Sequence, residues 1–265
     1  AYVYGSDKFG SLRTAALING TASHTIEFDD IFRDAIYHPG CPTISAALAA
    51  AQAKGANAAD LLTAIIVGYE VSTRIGLAVQ PSHYKYWHTT GTIGTYGAAA
   101  AVATILKLDR EKFAHALATS ATMAAALQQA FRSDSMSKPL HAGHAAEAGA
   151  MAALSAEYGM TGALDVLEGE AGFGAAMSTT VDWSKATAGL GAHYNITQMT
   201  FKNHGCCGHA FPAIDGVLHL KAAHGFAPEA IKRIRVGGYR ATLEVAGVPK
   251  ATTPCCAWCG ISGRC

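Results

Sequence analysis

The stretch HAAEAGAMAALSAEYG (residues 144–159) decides the fold class, because most of its apolar positions are alanine. Its apolar residues recur with a helical period, and small side chains let neighbouring helix axes approach closely. The same composition recurs in AALAAAQA (46–53), GAAAAVATIL (97–106) and ATMAAALQQA (121–130). The sequence therefore predicts a tightly packed all-α bundle over residues 1–225.

Helical periodicity extends over most of this region. It predicts helices at 11–24, 42–54, 58–79, 91–106, 110–130, 139–158 and 209–224. The glycines at 91, 94 and 97 recur every third residue, which indicates a helix-contact face. A phosphate-binding loop is disfavoured there because no strand precedes them.

The pattern changes near residue 228. IKRIRVGGYRATLEV (231–245) alternates apolar and polar residues and predicts a strand–turn–strand. We therefore expect a mainly α protein, with an all-α domain at 1–227 and the start of a smaller α+β domain at 228–265.

Bulk composition excludes several classes of protein. The 265 residues are 50% hydrophobic and carry a formal net charge of +1, with no block of like charge. This argues against nucleic acid and anionic membranes as partners. The most apolar run, AIIVGYEVSTRIGLAV (64–79), carries Glu70 and Arg74 four residues apart, which indicates a helical ion pair and not a bilayer span.

The cysteines indicate a reducing, cytoplasmic setting. Four of the seven fall in the last eleven residues, a spacing unlike a disulfide framework. A zinc cluster there lacks two clean CxxC pairs, and a truncated or frame-shifted end is the favoured explanation. Its cysteines are Cys255, Cys256, Cys259 and Cys265. The chain opens without an initiator methionine, so we expect its true start upstream.

Cationic residues stand at four predicted helix starts. They are His38, His88, Lys138 and the Lys202–His209 segment. A helix start offers unpaired N–H groups and the positive end of the helix dipole, which attract anions. Basic residues oppose that dipole by about half a kcal/mol each, so their repetition suggests a shared purpose. If those ends converge, they form a pocket for a small molecule that bears several carboxylates.

Acidic residues crowd ahead of the first of these starts, in IEFDDIFRDAIYHPGCP (26–42). Proton removal next to a carboxylate needs a base, a charge-stabilising cation and an acid for the leaving group. Histidine can serve as base or acid near neutrality, and lysine can hold a carboxylate. Glu27, Asp29 and Asp30 are predicted to orient the imidazoles or to exchange a proton.

Two other constellations remain open at this point. His141, His144 and Glu147 fall three residues apart on one helix and could present a metal face. GCCGH (205–209) places Cys206 and Cys207 near His209, as a thiolate–imidazole pair would require.

Several motifs, in order along the chain, resemble the MmgE/PrpD family. They are NGTASHTIEFDD (19–30), WHTTGT (87–92), KPLHAGHAAEAG (138–149), GMTGALDVLEGEAGF (159–173) and FKNHGCCGHAFPAIDG (201–216). The resemblance implies an all-α domain followed by an α+β lid domain, usually in a homodimer. It also implies a cofactor-free, metal-independent enzyme of small di- or tricarboxylates, with its site between the two domains. Relatives are longer at both ends, so we expect a chain that lacks an N-terminal portion and most of the lid.

The resemblance also assigns candidate site residues. The catalytic candidates are His38, His88, Lys138 and Glu27, which replaces the aspartate of many relatives. Of the substrate-binding candidates, Lys202 and His209 match the family motif, whereas Asp30 and Thr89 come from the acidic stretch and from the helix start after His88. The favoured function is a lyase that removes a proton next to a carboxylate and expels water, as 2-methylcitrate dehydratase does. The alternatives are a dicarboxylate epimerase, a decarboxylase and an inactive fragment.

Overall fold

The computed structural model describes residues 1–133 and 135–247, and these residues are mainly helical. The helices are α1 (Leu12–Thr25), α2 (Gly40–Lys54), α3 (Ala58–Val79), α4 (Thr89–Ile105), α5 (Arg110–Ala121), α6 (Lys138–Glu157), α7 (Phe173–Met177), α8 (Ser184–Thr187), α9 (Phe211–His224) and α10 (Arg240–Ala246). Two short antiparallel strands, β1 (Asp30–Ile31) and β2 (Thr200–Phe201), pair Asp30 with Phe201 and Ile31 with Thr200. The mainly α prediction is confirmed.

The described residues divide into two compact units. Unit 1 comprises residues 1–24, 29–128 and 139–201; unit 2 comprises residues 25–28, 129–133, 135–138 and 202–247. The domain boundary predicted at 227/228 stays a prediction. The cysteine-rich end, with its zinc alternative, lies outside the described residues.

Unit 1 is built around α4. Every residue of α4 except Thr104 is buried, and the surrounding core consists largely of alanines from α2, α4 and α6. Glycine lets these helices approach: a Cβ on Gly149 of α6 would lie 2.5 Å from the Thr95 carbonyl oxygen and 2.6 Å from the Ala98 Cβ of α4. The predicted close packing of small-residue faces is therefore present in unit 1.

The apolar helix α3 carries the expected ion pair. Arg74 Nε lies 2.5 Å from Glu70 Oε1, and Arg74 also donates to the Ala188 and His193 carbonyls at 2.8 and 3.0 Å. Glu70 Oε2 accepts from the Asn195 backbone at 2.8 Å. In the part of the chain that the structure describes, α3 is the one helix long and apolar enough to cross a membrane, and most of its apolar window is buried in the fold.

Two sequence-based predictions are wrong. The helix predicted over 110–130 ends at Ala121. The Ser120 and Thr122 hydroxyls donate there to backbone carbonyls of the preceding turn. The segment that follows does not continue the helix, and its Ala126 carbonyl accepts from the His88 N–H at 3.0 Å.

The strand–turn–strand predicted over 231–245 is also wrong. Residues 231–239 have no strand among the described residues, and Arg240–Ala246 is helical after Tyr239 at the N-cap. A two-stranded hairpin alone is marginally stable, so alternation alone does not ensure strands.

Candidate functional site

Four histidines cluster in unit 1. The His88 ring stacks on His24 with a centroid distance of 5.5 Å and an interplanar angle of 24°. His88 Nδ1 lies 3.0 Å from His141 Nδ1, and the His38 ring lies 5.5 Å from that of His24. We call His24, His38, His88 and His141 the imidazole cluster.

The buried carboxylate of Asp29 contacts two rings of this cluster. Its Oδ2 lies 2.6 Å from His24 Nδ1 and 3.6 Å from His38 Nδ1, and it accepts from the Cys41 thiol at 3.3 Å. Burial, and secondarily the Asp29 charge, raises the pKa of Cys41, which therefore stays a thiol. Asp29 therefore brings His24, His38 and Cys41 together around one carboxylate.

His38 is the more accessible ring on this carboxylate. Its side chain is 18% exposed, whereas that of His24 is fully buried. His38 Nδ1 lies 2.8 Å from the Asp30 carbonyl oxygen, which can only accept, so Nδ1 carries the proton. The second ring nitrogen, Nε2, is therefore the atom of His38 that can exchange a proton with a bound molecule.

Asp30 anchors the start of α2. Its Oδ1 accepts from the Gly40 N–H at 3.0 Å and its Oδ2 accepts from the Tyr69 hydroxyl at 2.8 Å. Burial raises the pKa of Asp30, against the lowering effect of these two hydrogen bonds. Asp30 thereby fixes the turn that carries His38. The sequence predicted Asp30 to bind substrate and did not predict this positioning role.

Thr89 lies at the first residue of α4 and is fully buried. Its hydroxyl accepts from Gln80 Nε2 at 3.1 Å, and the same amide donates to the Ala35 carbonyl at 2.8 Å. These contacts tie the start of α4 to the turn before α2, next to His88.

Glycines bring the helix ends together. A Cβ on Gly20 of α1 would lie 3.0 Å from the Gly143 Cα of α6, and one on Gly91 of α4 would lie 3.1 Å from the His141 Cβ. A Cβ on Gly94 of α4 would lie 2.6 Å from the Pro42 Cγ of α2. The end of α1 and the starts of α2, α4 and α6 therefore meet at backbone contacts that larger residues would prevent.

Unit 2 holds a second charged cluster. The buried Glu27 carboxylate pairs with two ammonium groups: Oε1 contacts Lys138 Nζ and Oε2 lies 2.7 Å from Lys202 Nζ. Both lysine side chains are at most 6% exposed. Glu27 adopts a left-handed conformation with φ of +55°, which is uncommon for a residue with a Cβ. Such strain is typical of functional positions.

His209 and two cysteines also belong to unit 2. His209 Nδ1 hydrogen-bonds the Tyr239 hydroxyl, and burial, with a smaller contribution from the Lys138 charge, lowers the pKa of His209. Burial raises the pKa of both Cys206 and Cys207. Raised thiol pKa values disfavour the nucleophilic thiolate considered for this segment.

The residues of the possible metal face have separate partners. His141 bonds to His88, His144 Nε2 lies 3.3 Å from the Met123 carbonyl oxygen, and Glu147 pairs with Arg13 at 2.9 Å. Ligand-type atoms of His24, Asp29 and Cys41 lie within 4.8 Å of one another. His24 Nδ1 lies 2.6 Å from Asp29 Oδ2, and the Cys41 thiol is protonated, so these three groups form a hydrogen-bonded network and not a set of metal ligands.

The structure therefore groups the candidates by unit. His38, His88, Asp30 and Thr89 lie in unit 1, while Glu27, Lys138, Lys202 and His209 lie in unit 2. The prediction that all of them line one cavity stays a prediction. The sequence-based predictions do not include His24, and they considered His141 only as part of a possible metal face. Both lie inside the motifs that resemble the family. His24 precedes the acidic stretch by about one helical turn, and this spacing could have indicated a contact with one of its carboxylates.

Comparisons with known proteins identify relatives of this chain. Residues 1–186 match the model of the MmgE/PrpD N-terminal domain. Cis-aconitate decarboxylase of Homo sapiens is 37% identical over 166 residues, which cover 61% of this chain and 34% of that protein. Cis-aconitate decarboxylase of Aspergillus terreus is 27% identical over 240 residues, covering 85% and 48%.

A cis-aconitate decarboxylase-like protein of Aspergillus oryzae is 28% identical over 251 residues, covering 88% of this chain and 52% of that protein. The chain thus spans between a third and about half the length of these curated relatives. The family model covers well over half of the chain, in the region that carries the imidazole cluster. The chain belongs to the MmgE/PrpD family.

Proposed function

We propose that this chain is a lyase of small tricarboxylates, with decarboxylation of cis-aconitate as its first candidate reaction. The observation that carries the proposal is the imidazole cluster around the Asp29 carboxylate, in which His38 is partly exposed. The similarity to cis-aconitate decarboxylases of human and fungal origin supports the substrate.

The reaction requires an acid and carboxylate-binding cations. Loss of CO2 from the CH2–carboxylate of cis-aconitate leaves an allylic carbanion whose charge is shared with the far end of the molecule. One proton must then be added to the carbon next to the remaining terminal carboxylate. A positioned imidazolium typically accelerates such a proton transfer by about 10²–10⁴-fold.

His38 is the first candidate for that proton donor. Its Nδ1 is fixed on the Asp30 carbonyl, and the Asp29 carboxylate at 3.6 Å favours its charged form. His88, within the same cluster, is the second candidate. Both assignments follow the roles that the sequence predicts.

Lys138 and Lys202 are proposed to hold carboxylates. With Glu27 they form a trio whose formal charge is +1 when all three are ionised, and burial strengthens the attraction of such a trio for an anion. His209 is proposed as a neutral hydrogen-bonding neighbour, since its pKa is lowered.

Turnover in D2O tests the proposal. Proton NMR should show the single vinylic signal of cis-aconitate replaced by the two vinylic signals of a terminal =CH2 group and one signal of a saturated CHD group, with one deuteron in the product for each CO2 released. His38→Asn should lower kcat by about 10²-fold or more. His219→Asn, on the exposed side of α9, should leave kcat unchanged.

The lysines are tested by their effect on KM. Lys202→Met should raise KM, while Lys221→Met, an exposed lysine on α9, should not. Unaltered cis-aconitate after long incubation, or equal rates in His38→Asn and His219→Asn, would contradict the proposal.

Dehydration of a 2-methylcitrate-like acid is the second candidate, favoured by the motifs that resemble 2-methylcitrate dehydratase. The same imidazoles would remove a proton next to a carboxylate and protonate the departing hydroxide. A product that lacks water but keeps every carboxylate would select it. From the family resemblance we also propose a cytoplasmic, metal-independent homodimer, to be checked by light scattering and by activity after chelation.

A further inference from the structure

The contact between His88 and His141 joins two identical atoms. The Nδ1 atoms lie 3.0 Å apart, and the ring centroids lie 5.2 Å apart at 52°. A hydrogen bond between two ring nitrogens contains one proton, so one ring donates and the other accepts.

This bond dictates where the other protons reside. The accepting ring has no proton on Nδ1 and must therefore carry its proton on Nε2. A neutral donating ring has a bare Nε2. The pair thus presents one acidic and one basic Nε2 when neutral, and two protonated Nε2 atoms when it carries one positive charge.

Double protonation of the pair is disfavoured. It would break the Nδ1–Nδ1 bond and place two positive rings in contact, so the two imidazoles titrate as a coupled pair. Among the titratable groups of unit 1, His24 stacks on the His88 ring and has Asp29 Oδ2 at 2.6 Å from its Nδ1, and the His38 ring lies 5.5 Å from that of His24.

The backbone holds both rings in place. The His88 N–H donates to the Ala126 carbonyl at 3.0 Å. Gly91, one turn into α4, leaves room for the His141 Cβ, which would lie 3.1 Å from a Cβ at position 91. The first turns of α4 and α6 are therefore closely packed where the two Nδ1 atoms meet.

We propose that His141 is a positioning residue that fixes the tautomer and the charge of His88 through the Nδ1–Nδ1 hydrogen bond. The consequence for turnover rests on the proposed function, whereas the proton arrangement itself does not.

NMR of the chain labelled with ¹⁵N-histidine tests the proton arrangement without substrate. We expect a scalar coupling across the hydrogen bond between the Nδ1 atoms of His88 and His141, and one fixed tautomer for each ring. Absence of the coupling, together with two rings that titrate independently, would overturn the inference in the unaltered chain.

Two variants of His141 distinguish the effect of the Nδ1–Nδ1 hydrogen bond from the effect of the side chain's volume. His141→Asn places an amide where Nδ1 lies and should keep His88 in one tautomer, whereas His141→Leu should give a tautomer mixture and a shifted titration of His88. His144→Leu, three residues further along α6 and bonded to Met123, is the matched control. An unchanged His88 spectrum in a folded His141→Leu chain would refute the positioning role.

Turnover provides the final readout. The pH profile of kcat should shift in His141→Leu and be restored in His141→Asn, with little change in KM. If the unaltered chain turns over no tricarboxylate, the proposed function fails while the NMR result still decides the proton arrangement.

Discussion

Replacing Gly149 with alanine tests whether glycine contacts assemble the site. A Cβ at this position would lie 2.5 Å from the Thr95 carbonyl oxygen, 2.6 Å from the Ala98 Cβ and 2.6 Å from the Ala99 nitrogen. These atoms belong to the backbone or to alanine, so no side chain can rotate away. Helix α4 must retreat from α6.

The size of the retreat follows from ordinary contact distances. Carbon atoms pack at about 3.5–4.0 Å, so the helices must separate by about 1 Å. Over-packing of this kind costs about 1–3 kcal/mol. Alanine gains about 1 kcal/mol of helix propensity over glycine, so Gly149→Ala should lower the free energy of unfolding by up to about 2 kcal/mol.

Urea unfolding followed by circular dichroism measures this change. Gly216→Ala is the control, because a Cβ at that position of α9 would meet nothing within 4 Å and should stabilise by up to about 1 kcal/mol. The retreat of α4 should also weaken the His88–His141 contact in ¹⁵N spectra. If Gly149→Ala proves as stable as Gly216→Ala, with an unchanged m-value, the close-packing argument is wrong.

Three further changes have definite expected outcomes. Burial lowers the pKa of His83 from 6.5 to about 4. Between these two pH values only the unfolded chain binds a proton at His83. The free energy of unfolding of the unaltered protein should therefore fall by about 3 kcal/mol as the pH falls through this interval. His83→Gln, which can still bond its hydroxyl partner, should lose measurably less between urea titrations at pH 7 and 4.5. Glu27→Gln removes the carboxylate shared by Lys138 and Lys202 and should lower the free energy of unfolding in urea by about 3–5 kcal/mol. Adding Lys202→Met should restore part of that stability, because it removes one of the two unpaired charges. An unchanged unfolding midpoint in Glu27→Gln would contradict the buried trio. Arg74→Ala should release the segment after α8, whose carbonyls it binds, and limited proteolysis should then cleave that segment first; equal cleavage rates would refute this.

Local signals predicted the helices that carry the site. The prediction for α3 matches its observed bounds, because Asn57 caps its first turn by accepting from the Asp60 N–H at 2.9 Å. The end of α5 was missed because Ser120 and Thr122 divert their hydroxyls to nearby carbonyls, which periodicity does not register.

The site was predicted in part, for a similar reason. Charge at helix starts singled out His38 and His88, whose rings both lie close to His24 in the structure. His24 escaped this reasoning because it lies near the end of α1, where a basic residue is locally favourable and therefore unremarkable. The pairing of His141 with His88 depends on a contact 53 residues apart along the chain, which no local pattern encodes.

Titration of the ¹⁵N-histidine-labelled chain with cis-aconitate tests most directly whether the imidazole cluster handles a small tricarboxylate. We expect saturable shifts of the His38 and His88 Nε2 resonances, with His219 and His224 on exposed parts of α9 unchanged. Cluster resonances that stay in place at saturating cis-aconitate, or that move no more than those of the exposed histidines, would contradict it.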